Sequence, residues 1–253
     1  MRIMVLGDTH GYTVSARRMV DVAKRKKVDK IFQVGDFGYW PHESDGTTYL
    51  DALNERLRYH GLKLYFVGGN HENWDWLDWH EKNAPKTYEG FTEIRTHIRY
   101  TGRQHRWMWG HKWFQAVGGA VSVDQGTPWR KPGIGWWKQE AIPLSVVANI
   151  EKVGKQSDYL FTHDAPTCVP MSNLKPDADS AEHRQRMDRI GKAVRPDAWF
   201  HGHYHKWMEY SFMHQLGYAF VYGLDMQDTP YQYVILDTEE NSVETGTGKK
   251  HML

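Results

Sequence analysis

Residues 3–8 read Ile3-Met4-Val5-Leu6-Gly7-Asp8, four apolar side chains in a row closed by glycine and aspartate. A strand buried on both faces carries such an unbroken apolar run, whereas a strand with one wet face alternates. The stretch predicts a parallel strand that delivers polar residues at its carboxyl end. The same figure returns twice, as Lys30 to Val34 ends in Gly35-Asp36 and Lys63 to Val67 ends in Gly68-Gly69-Asn70-His71. Between these runs, Val14 to Lys27 carries Val14, Met19, Val20 and Ala23, and Thr47 to His60 carries Leu50, Leu53 and Leu57. Both sets recur near helical spacing. Strand, helix, strand, helix, strand predicts right-handed βαβ crossovers and a parallel α/β sheet.

Further along, Trp74, Trp76 and Trp79 fall on a predicted helix that ends before Pro85. Phe91 to Arg99 and Trp107 to Val117 read as strands, the second turning as a hairpin at Gly110-His111. Residues 124–143, with Trp129, Trp136 and Trp137, read as a long surface loop of the kind that often carries function. A helix over Leu144 to Val153 leads to a strand, Tyr159 to Thr162, ending in His163. A helix near Ala181 to Val194 leads to strand Ala198 to Phe200, ending in His201-Gly202-His203-Tyr204-His205. Strands at Ala219 to Tyr222 and Tyr231 to Leu236 close what reads as one domain over residues 1–253, with no repeat and no linker.

The charge balance, 32 Lys+Arg against 31 Asp+Glu, excludes a basic nucleic-acid coat and argues against an extended nucleic-acid groove. Cys168 is the only cysteine, so an intramolecular disulfide and a cysteine-built zinc site are both excluded. A reducing compartment fits that usage. The first apolar run is too short for a signal peptide and no stretch approaches a membrane span. The expectation is a cytoplasmic chain without a membrane partner.

Five strand ends deliver one kind of side chain: Asp8 and His10, Asp36, Asn70 and His71, His163, and His203 with His205. Alone, an Asp-x-His is most often a strand-end turn and a His-x-His one face of a strand. Together they point to one crevice, because ligands of open α/β sheets bind beyond the carboxyl ends of the strands. Carboxylate, imidazole and amide oxygen suit manganese, iron and zinc.

Through Asp8-Thr9-His10, Gly35-Asp36, Gly69-Asn70-His71-Glu72, His163 and Gly202-His203-Tyr204-His205, the sequence resembles the calcineurin-like metallophosphoesterase superfamily, in its small bacterial and phage form. The motifs occur in family order. The resemblance implies a sandwich of two mixed β-sheets flanked by helices, with two divalent transition-metal ions, manganese foremost, at the sheet edge. It implies that Asp8, His10 and His205 hold one ion, that Asn70, His163 and His203 hold the other, and that Asp36 bridges them. Two cations roughly 3.5–4 Å apart bind phosphate oxygens and lower the pKa of a bridging water. Gly35 leaves room for close approach at Asp36. His71 is the family's usual proton donor to the leaving oxygen, a role that suits an imidazole near neutral pH. His201 reads as a packing or hydrogen-bonding residue behind the ligands.

The family's protein-phosphatase branch has an aspartate three residues after the bridging one and then an arginine. Here those positions are Tyr39 and Trp40. The carboxylate that orients the histidine and the arginine that clamps a phosphate are both missing there, although Glu72 keeps the branch's third-motif ending. Trp40, Trp136 and Trp137 are candidate stacking surfaces for a nucleobase. The expected substrate is a small phosphate ester, nucleotide-sized, with phosphodiesters such as cyclic nucleotides favoured. An arginine reaching in from elsewhere, such as Arg130, would weaken that preference. The alternatives are a phosphomonoesterase acting on protein or nucleotide, and a silent binding module that keeps its metals for structure.

Overall fold

The computed structural model describes residues 1–122, 124–125, 127–128, 130–171 and 177–253. The chain opens as its apolar runs predict, with β1 (Arg2–Leu6), α1 (Thr13–Arg25), β2 (Lys30–Gln33), α2 (Ser44–His60) and β3 (Leu64–Phe66). Then follow α3 (Trp74–Asn83), β4 (Thr92–Arg95), β5 (Ile98–Tyr100) and the hairpin β6 (Gln104–Trp109) and β7 (Lys112–Val117). The second half contains α4 (Leu144–Val153), β8 (Tyr159–Thr162), α5 (Ala178–Val194) and β9 (Ala198–His201). It closes with β10 (Met208–His214), β11 (Gly217–Gly223), β12 (Tyr233–Asp237), β13 (Ser242–Thr245) and β14 (Lys250–Met252).

Two mixed sheets result. The first runs β14-β13-β12-β1-β2-β3-β5-β4, with β1, β2, β3 and β5 parallel and the flanking strands antiparallel. The second runs β10-β11-β9-β8-β7-β6, parallel from β11 to β7 and antiparallel at both edges. Alternation along β1 explains its unbroken apolar run. Ile3 and Val5 enter the core between the sheets, while Met4 and Leu6 enter the core under the helices with Met19 and Val20 of α1 and Leu50 and Leu53 of α2. Between the sheets the Phe32 ring stacks on Phe161 at 4.1 Å. Behind the second sheet, Leu160 and Trp199 pack with Val147 and Ile150 of α4 and Met187 and Ile190 of α5. Each such side chain contributes roughly 1.5–3 kcal/mol by leaving water. The stacked rings and both helix layers fix the sheets, and with them the strand ends.

Local signals set the boundaries. Helix α2 stops at Gly61, whose left-handed φ of +69° ends the helix without a Cβ penalty. The side chains of Asn73 and Asp177 cap α3 and α5, accepting from the amides of Trp76 and Ser180. Such caps add about 1 kcal/mol each. They also account for α5 beginning at Ala178, earlier than the apolar spacing alone predicts. The expected strand over 91–99 is two antiparallel strands, because residues 96–97 turn. Within the long loop, Trp137 and Glu140 are buried and Lys138–Glu140 forms one 3-10 turn, so this segment does not lie wholly on the surface. Trp129 lies outside the described residues.

Candidate metal centre

The carboxyl ends of β1, β2 and β3 in one sheet and of β8 and β9 in the other open at a common edge. Backbone bonds stitch the loops together. The amides of Thr9 and His10 donate to the Asp36 carbonyl at 3.1 and 2.8 Å, and the Gly202 amide donates to the His163 carbonyl at 3.1 Å. Across the sheets, the His203 amide donates to Asp8 Oδ2 at 3.1 Å. The His71 amide donates to Asp36 Oδ1 at 2.8 Å. Four of the residues singled out from sequence, His10, Asp36, His203 and His205, hold left-handed backbone, with φ of +46°, +49°, +73° and +49°. Such backbone is uncommon outside glycine, although Asp and His tolerate it better than most residues.

Ligand-bearing atoms of Asp8, His10, Asp36 and His205 lie within 4.8 Å of one another. His10 Nε2 faces His205 Nε2 at 3.0 Å, and His205 Nε2 is 3.1 Å from Asp8 Oδ2. On the other side of Asp36, His163 Nε2 is 3.0 Å from Asn70 Oδ1 and 3.3 Å from Asp36 Oδ1. The His203 ring completes this side, 5.0 Å from the His163 ring between centroids. Four of the seven predicted ligand candidates thus form one compact cluster, with His163 and Asn70 beside Asp36 and the His203 ring next to His163. A methyl group at Gly202 would come within 2.0 Å of Asp8 Oδ1, so only glycine permits this packing. The hard and borderline donors, without a thiolate, fit divalent transition metals.

Burial and the close approach of carboxylates and imidazoles set the electrostatics of the cluster. Burial opposes ionisation of Asp36, but the imidazoles of His163, His71 and His10 outweigh it and hold the carboxyl well below its usual range. Burial likewise opposes a charged His163, yet Asp36 and Asp8 raise it to about 10. Burial dominates at His203 and lowers it to about 4. His201 is buried with Nε2 unpartnered and Nδ1 3.0 Å from the Gly202 carbonyl, behind the cluster.

His71 lies beside this cluster, its ring 5.6 Å from that of His10. Arg130 Nη1 lies 2.9 Å from His71 Nδ1. A guanidinium can only donate, so Nδ1 is the acceptor and the ring keeps its proton on Nε2. Burial, with Arg130 adding to it, lowers the His71 pKa. Of the tryptophans, Trp40 packs against Trp137 at 5.4 Å, and Trp137 is only 3% exposed with Nε1 donating to Asp75. Trp137 belongs to the core, and Trp40 is partly buried against it. Trp136 is partly exposed and donates to the Arg130 carbonyl at 3.1 Å.

Sequence reading missed Asp164 and Tyr204. The buried Asp164 carboxylate takes Tyr204 Oη at 2.5 Å and lies 2.6 Å from Nδ1 of the buried His183, tying the ends of β8 and β9 to α5. Their position next to His163 and between His203 and His205 was the available signal.

A mixed-sheet sandwich with paired carboxylate and imidazole clusters at its strand ends defines a metallohydrolase class. The chain belongs to the calcineurin-like phosphoesterase family, whose profile matches residues 1–207. That family uses a dinuclear divalent metal centre. Among solved structures, the chain is similar to the TT1561 protein of Thermus thermophilus, at 14% identity, 96% of this chain, 97% of the other and a TM-score of 0.60. It is also similar to a dimetal phosphatase from Danio rerio, at 13% identity, 99% and 98% coverage and a TM-score of 0.60. A third, a putative 5'-nucleotidase from Staphylococcus aureus described in complex with α-ketoglutarate, shares 15% identity, with a TM-score of 0.50. The match covers 96% of this chain and about half, 52%, of that one. At these identities the likeness is one of fold. No curated protein sequence matches significantly. Among the described residues, no helix is long and apolar enough to cross a membrane.

Proposed function

We propose that the chain, acting as one domain over residues 1–253, hydrolyses small phosphate esters at a dinuclear divalent metal centre. The observation that carries this reading is the gathering of Asp8, His10, Asp36 and His205 within 4.8 Å, with His163 and Asn70 on the far side of Asp36. The pairing of β12 with β1 supports one domain, since it draws residues beyond 207 into the first sheet. Asp8, His10 and His205 would hold one ion, Asn70, His163 and His203 the other, and Asp36 would bridge them. When bound, the pair supplies an activated water and neutralises charge on the phosphate. Manganese is the ion favoured for this donor set, with iron and zinc as the alternatives.

The protein's own groups do the rest. As a ligand His163 would be neutral, since a ligating imidazole carries no extra proton. His71 would act on the leaving oxygen as an imidazolium: once Arg130 releases Nδ1, that nitrogen takes a proton from solvent, Nε2 gives its proton to the leaving oxygen, and a neutral ring remains. Phosphodiesters such as cyclic nucleotides are the substrate class the sequence favours. That preference rested on a missing arginine and an aromatic wall. A second reading, phosphomonoester hydrolysis, is favoured by Arg130 at His71 and by the packing of Trp40 against Trp137. The test is turnover of aryl monoesters, linear diesters and cyclic nucleotides by manganese-loaded protein. Hydrolysis of any of them that chelation abolishes and manganese restores supports the proposal, and equal hydrolysis by metal-free protein, verified by elemental analysis, overturns it.

A further inference from the structure

We infer that Arg130 is the phosphate clamp of this centre and confers preference for phosphomonoesters, an inference that rests on the reading of the centre as a phosphate-ester site. Arg130 comes from the loop between β7 and α4, far in sequence from the position where the protein-phosphatase branch carries its arginine. Its side chain is only 10% exposed. Nη1 donates to His71 Nδ1 at 2.9 Å and Nη2 to Ser122 Oγ at 2.8 Å. Ser122 Oγ in turn accepts from Asn70 Nδ2 at 3.0 Å. The guanidinium is thus joined directly to His71 and, through Ser122 Oγ, to the adjacent Asn70.

Its charge is only partly balanced. The nearest carboxylate, Asp124, lies 3.3 Å from Nε, close enough for an ion pair but without a hydrogen bond, and is 39% exposed. Both terminal nitrogens donate to neutral acceptors. A nearly buried guanidinium favours a desolvated anion held by two parallel bonds. A phosphate beside His71 offers that arrangement, and Arg130 exchanges His71 Nδ1 for a phosphate oxygen. The loop is built to present this residue. Buried Glu140 accepts from the Ser122 amide at 2.7 Å, and Trp136 Nε1 holds the Arg130 carbonyl.

The ester class follows from the oxygens. A monoester has three non-bridging oxygens and close to two negative charges at neutral pH, whereas a diester has two and one. If the metal centre took two non-bridging oxygens, a further one for the arginine fork would exist only on the monoester.

The experiment compares wild type with Arg130→Met and Arg130→Lys on matched aryl monoester and diester substrates, with metal content measured for each protein. Wild type is expected to prefer the monoester. Arg130→Met should lower monoester kcat/KM by about 10²-fold, on the scale of losing one preorganised donor, and diester kcat/KM by under about threefold. Arg130→Lys should recover part of the loss, since it restores charge without the fork. Calorimetric binding of inorganic phosphate should weaken at least about tenfold in Arg130→Met, a readout independent of turnover. Equal losses for both esters, no loss for either, or loss of bound metal overturns the assignment. If metal-loaded wild type hydrolyses neither ester, the catalytic reading fails, and unchanged phosphate binding in Arg130→Met then overturns the clamp as well.

Discussion

Glu72 Oε2 accepts the Gly69 amide at 2.7 Å, while Oε1 accepts from the amides of Phe37 and Gly38. One fully buried carboxylate therefore ties the loop carrying Asn70 to the loop carrying Asp36. Burial, together with the Asp36 carboxylate, raises its pKa to about 8.

Glu72→Gln should loosen both loops. An amide has one oxygen, so one buried backbone N–H meets an NH2 group and loses its acceptor, at about 1–3 kcal/mol. The expected result is a lower Tm and weaker metal binding, read by thermal unfolding and chelator competition. Wild-type values for both would show that the tie is dispensable.

Asp36→Ala should abolish turnover and release metal. The loss should exceed the roughly 10–100-fold that follows removal of an outer partner of a ligand. Elemental analysis of the purified variant checks the stoichiometry. A variant that retains two ions and activity would remove Asp36 from its bridging role.

His71→Ala should retain both ions and lose about 10²–10⁴-fold in kcat, the usual range for an acid-base group. The loss should shrink as the leaving group improves. Leaving-group series with nitrophenyl and alkyl esters measure this, and an equal loss across the series would count against proton donation.

Gly202→Ala should damage the centre while sparing the fold. The added methyl group meets Asp8 Oδ1 at 2.0 Å, and overpacking of this kind costs about 1–3 kcal/mol. Unchanged far-UV circular dichroism with reduced metal affinity is expected. Full metal affinity would mean that Asp8 can move aside freely.

The parallel strands and their terminal side chains were legible because burial on both faces writes a continuous apolar run, as in β1, β3 and β8. Edge strands write no such pattern. In β10 only Met208 and Phe212 are buried, and β14 has a partly exposed Lys-His-Met sequence, so neither stood out. Asp8, His10, Asp36 and His205, which the structure gathers, stand out in the sequence as strand-end residues. Arg130 carried no local signal for its contact with His71, which is 59 residues away. The substrate argument leans on tryptophans, and because aromatic residues fill cores as readily as they line sites, spacing alone does not separate the buried Trp137 from the partly exposed Trp40 and Trp136. Trp137 packs inward on the strength of its bond to Asp75, a partner that no spacing rule identifies.

The left-handed backbone at His10, Asp36, His203 and His205 leaves a mark on descent as well as on chemistry. Each position costs about 1 kcal/mol that glycine would not incur, a cost that Lys27 and Arg195 also carry elsewhere in the fold. A descendant that kept the fold and abandoned hydrolysis would gain stability by replacing them with glycine. Drift toward glycine at these four positions, in chains that keep the apolar strands, would therefore be the signature by which silent relatives are told from active ones.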